Sequence, residues 1–490
     1  MSVDELDPQT GLFLEGEWVP ATGGSQLTTV DPATTEPITP VAAAGEADVD
    51  RAVSAARSAF PEWRDLAPDE RGRIVHRIGQ TIRAHVDELA EIESRDQGKP
   101  LAQAHSDMTS AARYFEYYAG AADKLEGKSV PVGPEQIDYT VREPYGVSAQ
   151  IIPWNFPGNL FARGVAPALV AGNSVVVKPA EQTPLSSLRL AELCAEAGVP
   201  DGVVNVVPGF GEPAGAALTG HPHVDTITFT GSVATGRAIM RRAAEHVTPV
   251  TLELGGKNPA IVYPDADIDE AADWISLAIF TNAGQVCSAA DRVLVHESVH
   301  DDLVERIVRR AAAYEIGPGH EDLDMGPLVS EAQFETVRRY VELGREEGAT
   351  VATGGSPIDR PGYFFEPTVF TDVDPEHRIA REEIFGPVLT VSRFADTREA
   401  VRVANDTDYG LVAGAFTSDV TRAHRLAREL EAGTVYVNKW FGDTNQTPFG
   451  GYKQSGIGRE KGLEALDSYL QTKNVAVNLS EDGGGDLPGA

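Results

Sequence analysis

Between residues 146 and 260 short β-branched runs alternate with stretches of helical periodicity, and this alternation leaves few folds open. Strands separated by helices pair in parallel, because a crossover of a dozen or more residues returns the chain to the same end of the sheet. The spacing predicts strands over 147–152, 174–178, 203–207, 226–230 and 251–254, with helices over 188–197 and 234–245. A second α/β region follows. Ser330 with Gln333 reads as a capping box that opens a helix, and Gly348 can close it. Strands at 388–392 and 434–438 flank helices over 398–404 and 421–432. The expected class is α/β.

At 490 residues the chain exceeds one ordinary core, and the domain-size prior suggests about three folding units. Two strand-like segments, 136–142 and 474–479, stand apart from the α/β units and are expected to pair with each other or with another subunit. The glycine-rich acidic stretch 481–490 reads as a disordered tail. No run approaches the roughly 18 to 20 apolar residues of a membrane span, and residues 1–10 are acidic and polar. A cytoplasmic protein is expected.

The sequence holds 74 acidic against 41 basic residues, a net charge of −33. Such a surface repels nucleic acid and anionic membranes, which need a basic face. With few lysines and the acidic excess spread along the whole chain, the pattern fits a high-salt cytoplasm that screens self-repulsion; an ordinary acidic enzyme is the alternative.

Only two cysteines occur, Cys194 and Cys287, too few for a disulfide framework and without metal-ligand spacing, so no metal is expected. Cys194 lies in a helical pattern and reads as a small core residue. Cys287 lies in FTNAGQVCS (280–288), a glycine-containing turn whose amides can approach a reacting group. A thiolate there can attack a carbonyl carbon, although taken alone Cys287 reads better as a buried structural cysteine. Glu253, in TLELGGKNP (251–259), precedes a Gly-Gly pair at a strand end, where a carboxylate can act as general base; viewed alone it reads better as a solvated surface glutamate. Asn155, in IIPWNFP (151–157), can offer a side-chain amide to an oxyanion, joined by the Cys287 backbone N–H.

Together these segments resemble the aldehyde dehydrogenase superfamily. The resemblance spans essentially the whole chain in order: IIPWNFP, KPAEQTP (178–184), FTGS (229–232), LELGGKNP (252–259), GQVC (284–287), EEIFGPV (382–388) and PFGGYKQSGIGRE (448–460). It implies a variant Rossmann cofactor domain (1–124 and 145–254), an α/β catalytic domain (255–455), and a small β oligomerisation element with a C-terminal segment (125–144 and 456–480). A homodimer or homotetramer is expected. It further implies that Cys287 adds to the aldehyde, that Asn155 stabilises the oxyanion, and that Glu253 activates water to release the acid. Relatives that acylate coenzyme A typically lack this glutamate, so hydrolysis is expected. A non-catalytic protein on this fold would be expected to lose Cys287, Glu253 or Asn155, and all three are present.

The same resemblance places Ile152, Trp154, Gly231, Ser232 and Gly236 along the cofactor, with the turn at 231–236 opening a helix whose N-terminus can meet a pyrophosphate. This turn lacks GxGxxG spacing. Lys178 and Glu181 resemble a ribose-binding pair; a carboxylate at 181 accepts from ribose hydroxyls and repels a 2′-phosphate, favouring NAD with NADP still possible. Glu383 and Phe385 match residues that position the nicotinamide end. Phe156, Asn159 and Arg163 are expected along the aldehyde tunnel. Relatives acting on acid semialdehydes place an arginine at the position of Arg163, and a guanidinium can grip a carboxylate in bidentate fashion; a structural salt bridge is the alternative. Succinate semialdehyde enzymes commonly add a second arginine where this chain has Thr281. The expected substrate is therefore 2-oxoglutarate semialdehyde, with succinate semialdehyde or a neutral or cationic aldehyde such as betaine aldehyde as alternatives.

Overall fold

A computed structural model describes residues 9–442 and 444–479, so the 481–490 tail lies outside the described residues. The largest sheet has eight strands in the spatial order Gly456–Ile457, Val250–Glu253, Thr226–Thr230, Val147–Ile151, Ser174–Lys178, Val204–Val206, Leu12–Leu14, Glu17–Val19. Its five central strands are parallel, and antiparallel strands flank them. The chain builds outward on one side of Val147–Ile151 and then crosses to Thr226–Thr230 on the other. Strand order reverses between these two, opening a crevice beyond their carboxyl ends.

The valine run of Ser174–Lys178 shows why this sheet was predictable. Val175 and Val177 enter a core built with Trp63, Ile78, Phe161 and Leu188 from flanking helices. Val176 enters the opposite core with Val147, Ala149, Ile227 and Leu252. A strand buried on both faces must be apolar without alternation. Each such valine contributes about 1.5 to 3 kcal/mol by burial, so a single charge here would break the layer.

The second sheet runs Thr350–Thr353, Thr368–Thr371, Val388–Phe394, Arg292–His296, Pro259–Val262, Val412–Phe416, Thr434–Val437. All its pairings are parallel except the first. Ala260 and Val262 face one core and Ile261 the other.

Leu470–Asn478 pairs antiparallel with Gln136–Pro144 through an unbroken register, with Ser129–Val130 on the far edge of Gln136–Pro144. The two remote segments thus pair with each other. Their sheet leaves Ile137, Tyr139 and Val477 exposed. The 456–480 segment is not uniform, however: Gly456–Ile457 extends the first sheet beside Leu252 and Glu253, which brings the following residues against the candidate site.

Four helices, Glu46–Asp65, Pro68–Ala84, Val86–Gln97 and Leu101–Ala119, cover ground to which the periodicity reading assigned no element. The Ser330 cap is present on Glu331–Glu346, its side chain accepting from the Gln333 N–H. Gln333 does not complete the box. Its amide donates instead to the Ile384 and Phe385 carbonyls, at 3.1 and 2.8 Å. Among the described residues no helix is long and apolar enough to cross a membrane.

Candidate active site

The crevice at the strand reversal leads into a pocket of about 250 Å³ whose lining includes Asn155, Glu253, Cys287, Glu383 and Phe385. Three distant segments therefore meet around one small volume. Asn155 follows the end of Val147–Ile151, and Glu253 ends its own strand. Cys287 follows a tight turn in which Asn282, Ala283 and Gly284 all have positive φ. A Cβ on Gly284 would lie 2.0 Å from the Gly386 carbonyl, so only glycine fits there.

Polar contacts fix the turn from both sides. The Asn155 side-chain amide donates to the Gln285 carbonyl at 2.9 Å, and the Asn282 amide donates back to the Asn155 carbonyl at 3.0 Å. Asn258 holds the next stretch: its amide donates to the Cys287 and Ala289 carbonyls at 2.9 and 2.8 Å, while its side-chain oxygen accepts from Val412 N at 3.0 Å. The Trp440 indole adds a bond to the Ser288 carbonyl at 2.8 Å. The sequence reading missed Asn258, Asn282 and Gln285 as site residues, although all three lie inside quoted motifs.

Burial dominates the electrostatics. It pushes the Cys287 thiol up to about 12, with Arg163 opposing. Burial first, and then the neighbouring Glu460, holds the Glu253 carboxyl well above the usual range. Burial raises Glu383 to about 7 against the Gly256 N–H, which donates to its carboxylate at 3.0 Å. Phe385 stands edge-on to Trp154 with centroids 5.2 Å apart, and Gln333 fastens its backbone.

A wider cleft of about 580 Å³ adjoins this pocket, sharing Trp154, Gly231 and Ser232, and is lined also by Ile152, Lys178, Glu181 and Thr235. Ser232 caps the helix Val233–Ala243 by accepting from Thr235 N at 3.2 Å. Lys178 is buried, which lowers its basicity, and its ammonium lies 3.4 Å from the Glu181 carboxylate. Gly236 also has a packing role. A Cβ there would lie 2.8 Å from a Leu254 methyl carbon, so this glycine allows the helix to pack on the strand end.

The residues expected along the aldehyde tunnel have partners of their own. The Lys99 ammonium sits 4.3 Å from the Phe156 ring centroid and pairs with Glu93 and Asp107. The Asn159 amide donates to the Asp107 carbonyl at 3.4 Å. Arg163 shows the salt bridge given as the alternative: its guanidinium is not free. Nε lies 2.5 Å from Glu460 Oε2, Nη2 lies 3.8 Å from Glu253 Oε2, and the Phe449 ring centroid is 4.7 Å away. Glu460 closes the PFGGYKQSGIGRE motif but was not singled out; nothing local in sequence links it to residue 163.

The family model described as "Aldehyde dehydrogenase family" matches residues 18–475. An aldehyde dehydrogenase of Emericella nidulans is 47% identical over 482 residues, covering 98% of this chain and 97% of that protein. A hydroxyisobutyraldehyde dehydrogenase of Mycolicibacterium austroafricanum is 45% identical over 471 residues, 96% of this chain and 94% of that one. Among solved structures, an NAD+ complex of aldehyde dehydrogenase from Bacillus cereus superposes with a TM-score of 0.96 at 45% identity, covering 98% of this chain and 99% of that one. With the fold, the pocket and these matches in agreement, the chain belongs to the aldehyde dehydrogenase family.

Proposed function

We propose that this enzyme oxidises an aldehyde to a carboxylic acid with NAD, through a thioester on Cys287 that water hydrolyses. The observation that carries this reading is the convergence of Cys287, Asn155 and Glu253 on one pocket beside the cleft. The cleft fits a dinucleotide: its volume lies within the usual range for ligand sites, a capped helix N-terminus faces it, and the Lys178–Glu181 pair can bracket a diol. Bound there, NAD would supply the hydride acceptor that converts the thiohemiacetal to a thioester. Glu181 favours NAD over NADP by repelling a 2′-phosphate.

The chain's own residues carry the remaining steps. Glu253 takes the Cys287 thiol proton and passes it to solvent, Sγ bonds to the carbonyl carbon, and the π pair moves to oxygen. One Asn155 amide hydrogen is engaged by Gln285; the other, with the Cys287 N–H, is available to the oxyanion. In the second half-reaction Glu253 takes a proton from water as its oxygen adds to the thioester carbonyl. The C–S bond then breaks, the sulfur keeps the electron pair, and the acid leaves. Coenzyme A added to a reaction of aldehyde and NAD tests this directly: free acid should form in step with NADH, and accumulation of acyl-coenzyme A would refute hydrolysis.

For the substrate, the Arg163–Glu460 ion pair favours a neutral aldehyde. A distal carboxylate would have to displace a buried counter-ion at 2.5 Å, which costs more than occupying a free cation. The hydroxyisobutyraldehyde dehydrogenase likeness supports the same reading. 2-Oxoglutarate semialdehyde remains the second reading, resting on Asn159 and Arg163. Rates on propanal, betaine aldehyde, succinate semialdehyde and 2-oxoglutarate semialdehyde decide between them. The exposed apolar residues of the 129–144 and 470–478 sheet are the proposed subunit interface.

A further inference from the structure

Two carboxylates and one guanidinium share a buried volume behind the pocket. Glu253, Glu460 and Arg163 expose only 2%, 5% and 8% of their surface. Neither Glu253 oxygen has a hydrogen-bond partner among the described residues. Arg163 lies against both acids, at 2.5 Å from Glu460 and 3.8 Å from Glu253, and Phe449 packs along its guanidinium. An unpartnered carboxylate is costly in such surroundings unless a nearby cation offsets its charge.

We propose that Arg163 is the shared counter-ion of a Glu253–Glu460 carboxylate pair, a positioning residue that governs whether Glu253 is available as the base for thioester hydrolysis. This rests on the reading of Glu253 as that base. With all three groups ionised the cluster carries one net negative charge. Removing Arg163 leaves two negative charges in the same space, so the pair retains a proton to higher pH. Removing the charge of Glu460 has the opposite effect. Other charged or titratable groups also face the cluster: Arg459 and Lys461 from the C-terminal segment, Cys287 from the catalytic turn, and Tyr114 and Tyr469 beside the guanidinium. Arg163 has the strongest influence of these cations on both acids, and although burial opposes its charge, the neighbouring Glu460 raises its basicity and keeps it charged across the working range. The arrangement also explains why an arginine on the Pro157–Ala171 helix is compatible with a neutral substrate: its charge serves the base.

The experiment measures acyl-enzyme decay against pH, by quenching after a single NADH burst on propanal, so that a change in hydride transfer does not enter. Arg163→Met should move the acid limb of this rate upward by about one to three pH units, the range that an adjacent opposite charge commands. Arg163→Lys should return it most of the way. Glu460→Gln should move it downward, and Arg163→Met combined with Glu460→Gln should restore it towards the parent value. A limb unmoved in both Glu460→Gln and Arg163→Met, with rates merely scaled, would overturn the proposal and leave Arg163 a packing residue. If Arg163→Met does not fold, Glu460→Gln and the double variant decide by the same criterion. Glu253→Gln separates the underlying reading: undiminished acyl-enzyme decay in that variant would show that Glu253 is not the base.

Discussion

Replacing Asn258 by alanine tests whether Cys287, the proposed nucleophile, is held by its backbone. The Asn258 side chain is buried and makes three hydrogen bonds, to the carbonyls of Cys287 and Ala289 and from the N–H of Val412. Truncation strands three backbone groups. At about 1 to 3 kcal/mol for each unsatisfied buried group, and allowing for partial relaxation, the loss should be about 3 to 5 kcal/mol. Asn258→Asp is the sharper companion: it keeps the acceptor for Val412 and loses both donors to the cysteine segment. Urea unfolding followed by tryptophan fluorescence gives the stability change, and Trp440, bonded to Ser288, reports on the same segment. Steady-state kcat on propanal, normalised to folded enzyme, should fall at least about tenfold in both variants, as expected when a nucleophile is misplaced by a fraction of an ångström. If Asn258→Ala unfolds within about 0.5 kcal/mol of the parent and keeps kcat within twofold, water has replaced the amide and Asn258 does not position Cys287.

Other consequences are simpler to read. Cys287→Ala should abolish oxidation while NAD binding by fluorescence titration persists; turnover above about a thousandth of the parent would remove the nucleophile assignment. Glu253→Gln should give one equivalent of NADH per site and then a steady rate at least about a hundredfold lower; an unchanged steady rate would contradict its role. Glu181→Gln should raise kcat/KM for NADP relative to NAD by about tenfold, as losing one charged repulsion implies, and an unaltered ratio would place the discrimination elsewhere. At −33 net charge, activity should fall on dialysis to low ionic strength and recover in molar KCl as repulsion is screened; full activity in dilute buffer would argue against salt adaptation.

What was legible in the sequence followed from how locally each feature is determined. The parallel strands were readable because a doubly buried strand writes an unbroken apolar run, as Val175 to Val177 do; Ser174–Lys178 and Thr226–Thr230 match the expected bounds. Cys287, Glu253 and Asn155 each sit in a motif whose turn and strand-end geometry is local, and the fold brings all three to one pocket. The errors arise where a side chain is answered from far along the chain. Gln333 fits a capping box by spacing, yet tertiary packing offers its amide two carbonyls of the 384–385 loop, a better arrangement than one bond back to its own helix. The packing role of Gly236 is likewise set from afar, because the space of its missing side chain is filled by Leu254 at the end of another strand.

Arg163 shows the same limit at the point where it bears on function. The sequence specifies a cation on the helix after Asn155, but no local pattern states whether its counter-ion will be protein or substrate. Gly456–Ile457 supplies a protein counter-ion by joining the edge of the first sheet beside Glu253, with Leu252 opposite Ile457 and Glu253 opposite Gly456. Three residues beyond that strand the chain carries Glu460 back against Arg163. Specificity inferred from an arginine therefore depends on a two-residue strand that adds a second carboxylate to the site. A substrate carboxylate would be the third anion around one guanidinium, and electrostatics would then oppose the ligand that the isolated residue invites.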